Sequence, residues 1–301
     1  MASLTAAANP MLVDERSGPG HRPRRPGTAN LVYIGCGTVI GLVFLLPLLW
    51  AIFESFEPSA AVTSPPRLSV LGHLGVSNYV QLIDGNVHIL HYVWNSLWVS
   101  VGAALLTSAL SLLAGYGFGR FRFRGSGVVF SLTLLALMVP FQAVLTPLFL
   151  ELHAMNLTNS LVGLLLFYAT FNLPFGVFVM RNTFSQIPGE IEDSALIDGA
   201  SVLGTLWHVM RPLVLPGIAT TLLYTFLFSW TEFLGALTFL TTQSRYTLPV
   251  ALLNVETGTY GAVNYGHLVA GAVISMIPVV ILYVTLQRYY VQGLMSGAVK
   301  G

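Results

Sequence analysis

The chain has 301 residues, of which 54% are hydrophobic and only 8% charged, with a formal net charge of +1. A soluble domain carries about 25% charged residues, so this composition belongs in a bilayer, and the near-neutral balance argues against nucleic acid as a partner. One cysteine, Cys36, excludes an internal disulfide and a cysteine-based metal site. One lysine, Lys300, excludes the Gly-Lys-Ser/Thr triplet of a phosphate-binding loop, so the chain holds no Walker-type ATPase of its own.

Residues 1–30 are rich in Pro, Gly and Arg (GPGHRPRRPG) and lack an apolar face, which predicts a disordered tail. The uncharged block 31–53 follows. It is too long for a signal-peptide core and lacks a convincing cleavage site, so it is expected to stay as the first membrane span. Residues 54–92 form a polar connection containing Pro65-Pro66 and Asn78-Tyr79. Spans are then expected over roughly 93–118, 127–150, 160–180, 218–240 and 267–286. Pro140 and Pro147 interrupt the third, Pro174 lies in the fourth and Pro278 in the sixth. Gly115 and Gly119 give the second span a face that permits close helix approach. Residues 93–288 are taken as one core domain, and 289–301 as a tail.

The longest polar interval of the second half, 185–217, holds Glu190, Glu192, Asp193 and Asp198. It predicts two short helices meeting at a turn. Pro188 can open the first, with Glu190, Glu192 and Asp193 near the positive end of its dipole. Gly199 can take the left-handed conformation that ends it, and Ser201 can cap the second. Val202, Leu206 and Val209 then share a face, and Pro212 is expected to stop the run. The expected product is an acid-tipped elbow between two spans, gripped by something outside the membrane.

Six spans put both termini on one side. Arg16, Arg22, Arg24, Arg25, Arg120, Arg122, Arg124, Arg181, Arg211, Arg288 and Lys300 lie on the side of the termini and the elbow. Only Arg67 and Arg245 lie on the other. The positive-inside bias therefore predicts cytoplasmic termini and a cytoplasmic elbow.

Glu232 is the only acid within an expected span, where an isolated charge costs roughly 2.5–3.5 kcal/mol. It either faces a translocation pathway and hydrogen-bonds a polar solute, or serves as an interhelical contact or snorkels to the interface. Trp230 stands beside it. Asn95, Gln142, Tyr168 and Asn172 are the other polar or aromatic pathway candidates, each also readable as glue between helices. With the kinking prolines they outline a water-lined route, and such neutral groups favour an uncharged, polyhydroxylated solute. His88 and His91 alone do not make a metal site, so none is expected. No catalytic constellation stands out. An ion-gradient-driven secondary transporter would also account for six spans and Glu232, but it leaves the elbow unexplained and would call for an inverted repeat that is not visible.

The elbow resembles the cytoplasmic signature of ABC-importer permeases: Glu-Ala-Ala, three residues, Gly, nine residues, Ile-x-Leu-Pro. Here it reads Asp193-Ser194-Ala195, Leu196-Ile197-Asp198, Gly199, nine residues, then Val209-Met210-Arg211-Pro212. The spacing matches throughout. Asp replaces Glu, Ser the first Ala, Val the Ile and Arg the Leu, and adjacent Glu192 could serve for the shortened acid. The ending from Gly293 to Gly301 is similar to the tail of maltose-type sugar permeases, as are Asn95-Ser96 and Trp230-Thr231-Glu232-Phe233.

The resemblance implies an all-helical integral membrane fold with six spans, in the manner of type I ABC importer permeases, in a bacterial or archaeal plasma membrane. It implies a non-catalytic permease subunit paired with a second, related permease. Two ATPase subunits or a homodimer bind below, carrying ATP and Mg, and an extracytoplasmic sugar-binding protein or lipoprotein docks above. The solute would be a di- or oligosaccharide, an amino sugar or a polyol derivative. Glu192, Asp193, Ser194, Ala195, Asp198, Gly199 and Pro212 would contact the ATPase, and Gly297 and Lys300 in the tail would reach toward its dimer interface.

Overall fold

The computed structural model describes residues 28–57, 74–85, 87–257 and 264–298. The predicted N-terminal tail up to residue 27, Pro65-Pro66 and Lys300 lie outside them. The described residues are helical, with no strand among them.

The chain divides into two units, Met1–Leu49 and Trp50–Gly301. The first helix, α1 (Thr28–Glu54), starts three residues ahead of the expected span. The second unit contains α2 (Ser77–Asp84), α3 (Ile89–Arg120), α4 (Ser126–Ala136), α5 (Phe141–Ala154) and α6 (Leu161–Ser185). The elbow follows as α7 (Gly189–Ile197) and α8 (Val202–Leu213). After it come α9 (Leu215–Thr231), α10 (Leu234–Phe239), α11 (Leu248–Glu256) and α12 (Tyr265–Ala298). Among the described residues four helices, in α1, α3, α6 and α12, are long and apolar enough to cross a membrane, and the count reaches six when each of two bent pairs is one span. The pairs are α4 with α5, bent by 101°, and α8 with α9, bent by 78°.

Both bends have local causes. Pro140 lacks an N–H and is extended at ψ 133°, so the helix cannot run through it, and α5 starts one residue later. Pro147, in contrast, sits inside α5, and Pro174 inside α6, without ending the helix. Val214 joins α8 to α9, with Pro216 in the first turn of the new helix, where its missing N–H costs nothing.

The core is a three-helix seam. Helix α3 packs against α6 and α9, and α9 also against α6 and α12. Small residues set its closeness. A side-chain carbon at Gly115 would overlap Met180 Cβ and come within 2.9 Å of the Arg181 nitrogen, and one at Gly119 would come within 2.9 Å of Phe184 Cβ. The close-approach face expected for the second span is therefore used, against α6. Gly176 marks the point where all three helices meet, because a methyl there would overlap Ser111 Oγ of α3 and approach Thr221 Cγ2 of α9 to 2.9 Å.

Helix α3 has 32 residues, hence a length of about 48 Å, which exceeds a hydrocarbon core of about 30 Å. The excess carries Tyr116 and Arg120 to the elbow at one end and His91 and Asn95 to the loop after α10 at the other. Three clusters of buried side chains each include residues of α3. Leu82, Ile89, Tyr92, Phe226, Trp230 and Leu248 belong to one, and Val99, Leu164, Phe167, Tyr168 and Phe239 to the next. Leu112, Tyr116, Met180, Phe184, Leu206, Met210 and Val214 form the third, which anchors the elbow.

Several boundaries depart from the sequence expectation. The helix of the second span begins at Ile89 rather than Val93, and the connection before it contains α2. Asn78 holds that connection by donating to the carbonyls of Ser55 at 3.0 Å and Glu57 at 2.8 Å, and the Tyr79 hydroxyl donates to Ser55 Oγ at 2.6 Å. Helix α12 continues to Ala298, so Gly297 lies in a helix rather than in an irregular tail.

Candidate coupling elbow and translocation pathway

The elbow forms as two helices about a turn at Gly199. Pro188 is the residue preceding α7, with ψ 137°. Gly199 has φ +87°, and no atom lies within 4 Å of where a side-chain carbon would sit. Glycine is needed there for backbone conformation and not for space. Ser201 Oγ accepts from the Gly204 N–H at 3.1 Å and so caps α8.

The face of α8 is not the one expected. Thr205–Met210 is π-helical, and the wider turn rotates the buried stripe away from a 3.6-residue repeat. Leu206, Met210 and Val214 are buried, at intervals of four, while Val202 is 45% exposed. Pro212 does not stop the run either; it lies inside the last turn, and the helix ends at Leu213. The opposite side of the elbow is open. Ile197 is 85% exposed and Leu203 71%, and Glu190, Asp193, Ser194, Asp198 and Gly199 are exposed around them.

Glu192 departs from its neighbours. Sequence groups it with the exposed acids, yet it is buried. The Tyr116 hydroxyl donates to its Oε1 at 2.5 Å. Arg120 Nε lies 3.1 Å from its Oε2, with both side chains about nine-tenths buried. That approach is an ion-pair contact and not a well-aligned hydrogen bond. Arg120 also donates from a terminal guanidinium nitrogen to the Ile187 carbonyl at 2.9 Å. The Tyr116 ring lies 5.3 Å from that of Phe184 and 5.3 Å from that of Phe121.

Glu232 sits at a break and not within a continuous helix. It is extended between α9 and α10, with ψ 131°. Its carboxylate accepts the N–H of Gly235 at 2.9 Å and of Ala236 at 3.3 Å, and so caps α10. The Tyr168 hydroxyl donates to its Oε2 at 2.6 Å. Asn172, one turn further along α6, donates to the Tyr168 carbonyl at 2.7 Å. Tyr168, Asn172 and Glu232 therefore form one connected group. The rings of Phe141, Phe167, Phe171 and Phe228 pack against one another at centroid distances of 5.1 to 6.4 Å, and those of Phe167 and Phe228 lie 5.4 and 6.1 Å from the Tyr168 ring.

The other pathway candidates are elsewhere. Trp230 is buried and donates to the Ser275 carbonyl of α12 at 3.1 Å. Gln142 is exposed near the start of α5. Asn95 clasps the far-end loop, donating to the carbonyls of Ser244 at 3.1 Å and Tyr246 at 2.9 Å. Ser96 accepts the Leu248 N–H at 2.7 Å, and the His91 Nε2–H donates to Ser244 O at 2.6 Å.

Sequence reasoning missed Asn159. Its φ is +51°. Its side chain accepts the N–H groups of Thr241 and Thr242 at 3.1 Å each and donates to Thr242 Oγ1 at 2.7 Å, while its carbonyl accepts from Arg245. An Asn ahead of Ser160, which caps α6, is the one signal that could have pointed to a structured turn. Tyr116 and Arg120 were also missed as partners of the elbow, though both fall at the end of a long apolar block.

A bundle of broken spans with an open, acid-rimmed elbow at one end and a capped break in its interior is the architecture of a transport subunit. The chain belongs to the family of binding-protein-dependent transport system inner membrane components, which matches residues 108–296. It is 31% identical over 272 residues to the trehalose/maltose transport system permease protein MalG of Thermococcus litoralis, covering 90% of this chain and 96% of that one. It is 32% identical over 266 residues to the arabinooligosaccharides transport system permease protein AraQ of Halalkalibacterium halodurans, covering 87% and 93%. It is 33% identical over 258 residues to the sulfoquinovosyl glycerol transport system permease protein SmoH of Agrobacterium fabrum, covering 85% and 89%. In fold it is similar to a chain from the crystal structure of a bacterial ABC transporter involved in the import of alginate. The TM-score is 0.72 at 24% identity, covering 88% of this chain and 98% of that one.

Proposed function

We propose that this chain is one of two permease subunits of an ATP-driven carbohydrate importer, with its termini and elbow in the cytoplasm. The observation that carries the reading is the elbow. Its root is fixed by Leu206, Met210 and Val214, while Ile197 and Leu203 stand bare at its tip among Glu190, Asp193 and Asp198. An apolar point rimmed by carboxylates suits a cleft with a greasy floor and basic walls. ATPase subunits supply that cleft and hold the ATP and Mg. Their closure drives the elbow, and the bundle reorients as packed helices tilt.

Sugar as the solute is supported by the relatives that carry trehalose, maltose and arabinooligosaccharides. It is also supported by the Asn172 amide and the aromatic rings grouped with Glu232, which suit hydroxyls and the apolar faces of a sugar ring. An extracytoplasmic binding protein would deliver the solute to the end held by Asn95 and Asn159.

The test is reconstitution in liposomes with the sister permease, the ATPase and the binding protein, followed by uptake of a panel of labelled sugars. ATP-dependent accumulation that requires every component is expected. Accumulation by this chain alone, driven by an ion gradient, refutes the reading. An N-terminal tag accessible from outside intact cells refutes the orientation.

A further inference from the structure

Glu192 is the one acid of the elbow that does not face outward, and its partners lie on a helix that does not adjoin the elbow in the chain. From these contacts we infer that Tyr116 and Arg120 are positioning residues for coupling: with Glu192 they bolt the end of α3 to α7, so the elbow moves α3 as well as the spans it joins. The inference rests on the importer reading above and assigns Glu192 an internal role in place of a contact with the ATPase.

The geometry supports a bolt rather than a chance surface pair. Both carboxylate oxygens are engaged, Oε1 by the Tyr116 hydroxyl and Oε2 by Arg120. Arg120 holds a second point, the Ile187 carbonyl in the link between α6 and α7. Three attachments from one turn of α3 thus reach two successive pieces of the elbow. Both charged side chains are about nine-tenths buried, so removing either leaves the other as an uncompensated buried charge. The Tyr116 ring also packs against Phe184 at the end of α6.

The consequence is mechanical. Helices α6 and α9 flank the elbow in the chain and must follow it. Helix α3 is the central helix of the seam, in contact with both, yet it ends 66 residues before Gln186 (186 − 120). Without the bolt, α3 could lag behind a displaced elbow by sliding along α6. With it, the three helices move as one body.

Two measurements test this. In the full chain with Cys36→Ser, spin labels at Arg122→Cys and Ile191→Cys report the separation of α3's end from α7. A narrow distance distribution is expected, broadened by Arg120→Gln or Glu192→Gln and narrowed again by the swap of Arg120→Glu with Glu192→Arg. Distributions that stay narrow in both single variants overturn the bolt, whatever the chain transports. In the reconstituted complex, each single variant is expected to lower solute delivered per ATP hydrolysed by roughly tenfold, within the span usual for coupling between sites. The double Gln variant should do no further harm, and the ATPase should co-purify undiminished. Losses that multiply, or ATPase lost from Glu192→Gln but kept by Arg120→Gln, place Glu192 against the partner and overturn the inference. A wild-type complex that delivers nothing with ATP refutes the importer reading, and the label distances then decide the bolt by themselves.

Discussion

Glu232→Ala separates a carboxylate that holds the bundle together from one that meets the solute. The substitution removes the acceptor of the Tyr168 hydroxyl and the cap of α10 together. Tyr168 is fully buried, and a buried hydroxyl without its acceptor costs about 1–3 kcal/mol. Loss of a cap costs about 1 kcal/mol. Hydrogen bonds within membrane bundles average about 0.6 kcal/mol, which draws the sum toward its lower end. A loss of about 2 kcal/mol is expected, or a fall in Tm of roughly 3 °C for a chain of this size. Glu232→Gln keeps the shape and one acceptor oxygen but turns an amide donor toward other donors, so about half that loss follows. Tyr168→Phe leaves the cap intact and should cost about 1 kcal/mol. In the Tyr168→Phe background Glu232→Ala should cost less than it does alone, because the shared bond is already absent. The assay is thermal unfolding of the purified complex, paired with uptake per assembled complex, which should fall in Glu232→Ala without loss of the partner subunits. Unchanged Tm with abolished uptake refutes the capping argument and puts the carboxylate in the path of the solute. Unchanged uptake removes it from that path.

Gly199→Val places a β-branched residue at φ +87°, at a cost of roughly 1–2 kcal/mol or more, and Asp193→Lys inverts the charge at the exposed tip. Both should abolish solute-stimulated ATPase activity in the reconstituted complex while the permease still folds, whereas Gly199→Asn, which tolerates the left-handed region, should retain most of it. Gly176→Ala crowds the meeting point of α3, α6 and α9 against Ser111 and Thr221, and differential scanning fluorimetry should read an overpacking loss of about 1–3 kcal/mol. Asn95→Ala removes both clasps on the loop containing Arg245. Tryptic cleavage after Arg245 should then accelerate by roughly tenfold, as expected when about 1.4 kcal/mol of local stability is lost.

The fold was legible because its signals are local. Apolar runs long enough to span, the proline at 140, and the spacing of Asp193, Gly199 and Pro212 are properties of short windows. The candidate site was legible only in part. Glu232 is conspicuous as an acid in an apolar stretch, but its N–H donors come from a chain break that no apolar count reveals. The π-helical turn over Thr205–Met210 likewise defeats a reading based on 3.6 residues per turn, so that Leu206 shares its buried face with Met210 and Val214 rather than with Val202 and Val209.

By itself the sequence determined that this chain belongs in a membrane, which stretches are apolar enough to span it, and that a glycine-hinged acidic elbow stands between two of them. Hydropathy, backbone preference and capping act over a handful of neighbours, so those facts are written in order along the chain. Tertiary structure alone decided which polar groups are spent inside. Glu192 meets Tyr116 across 76 positions, Glu232 meets Tyr168 across 64, and Asn95 meets Ser244 across 149. A buried polar group must find a partner wherever the packed helices bring one, and helices with similar apolar faces carry no record of which neighbour that is until they are docked.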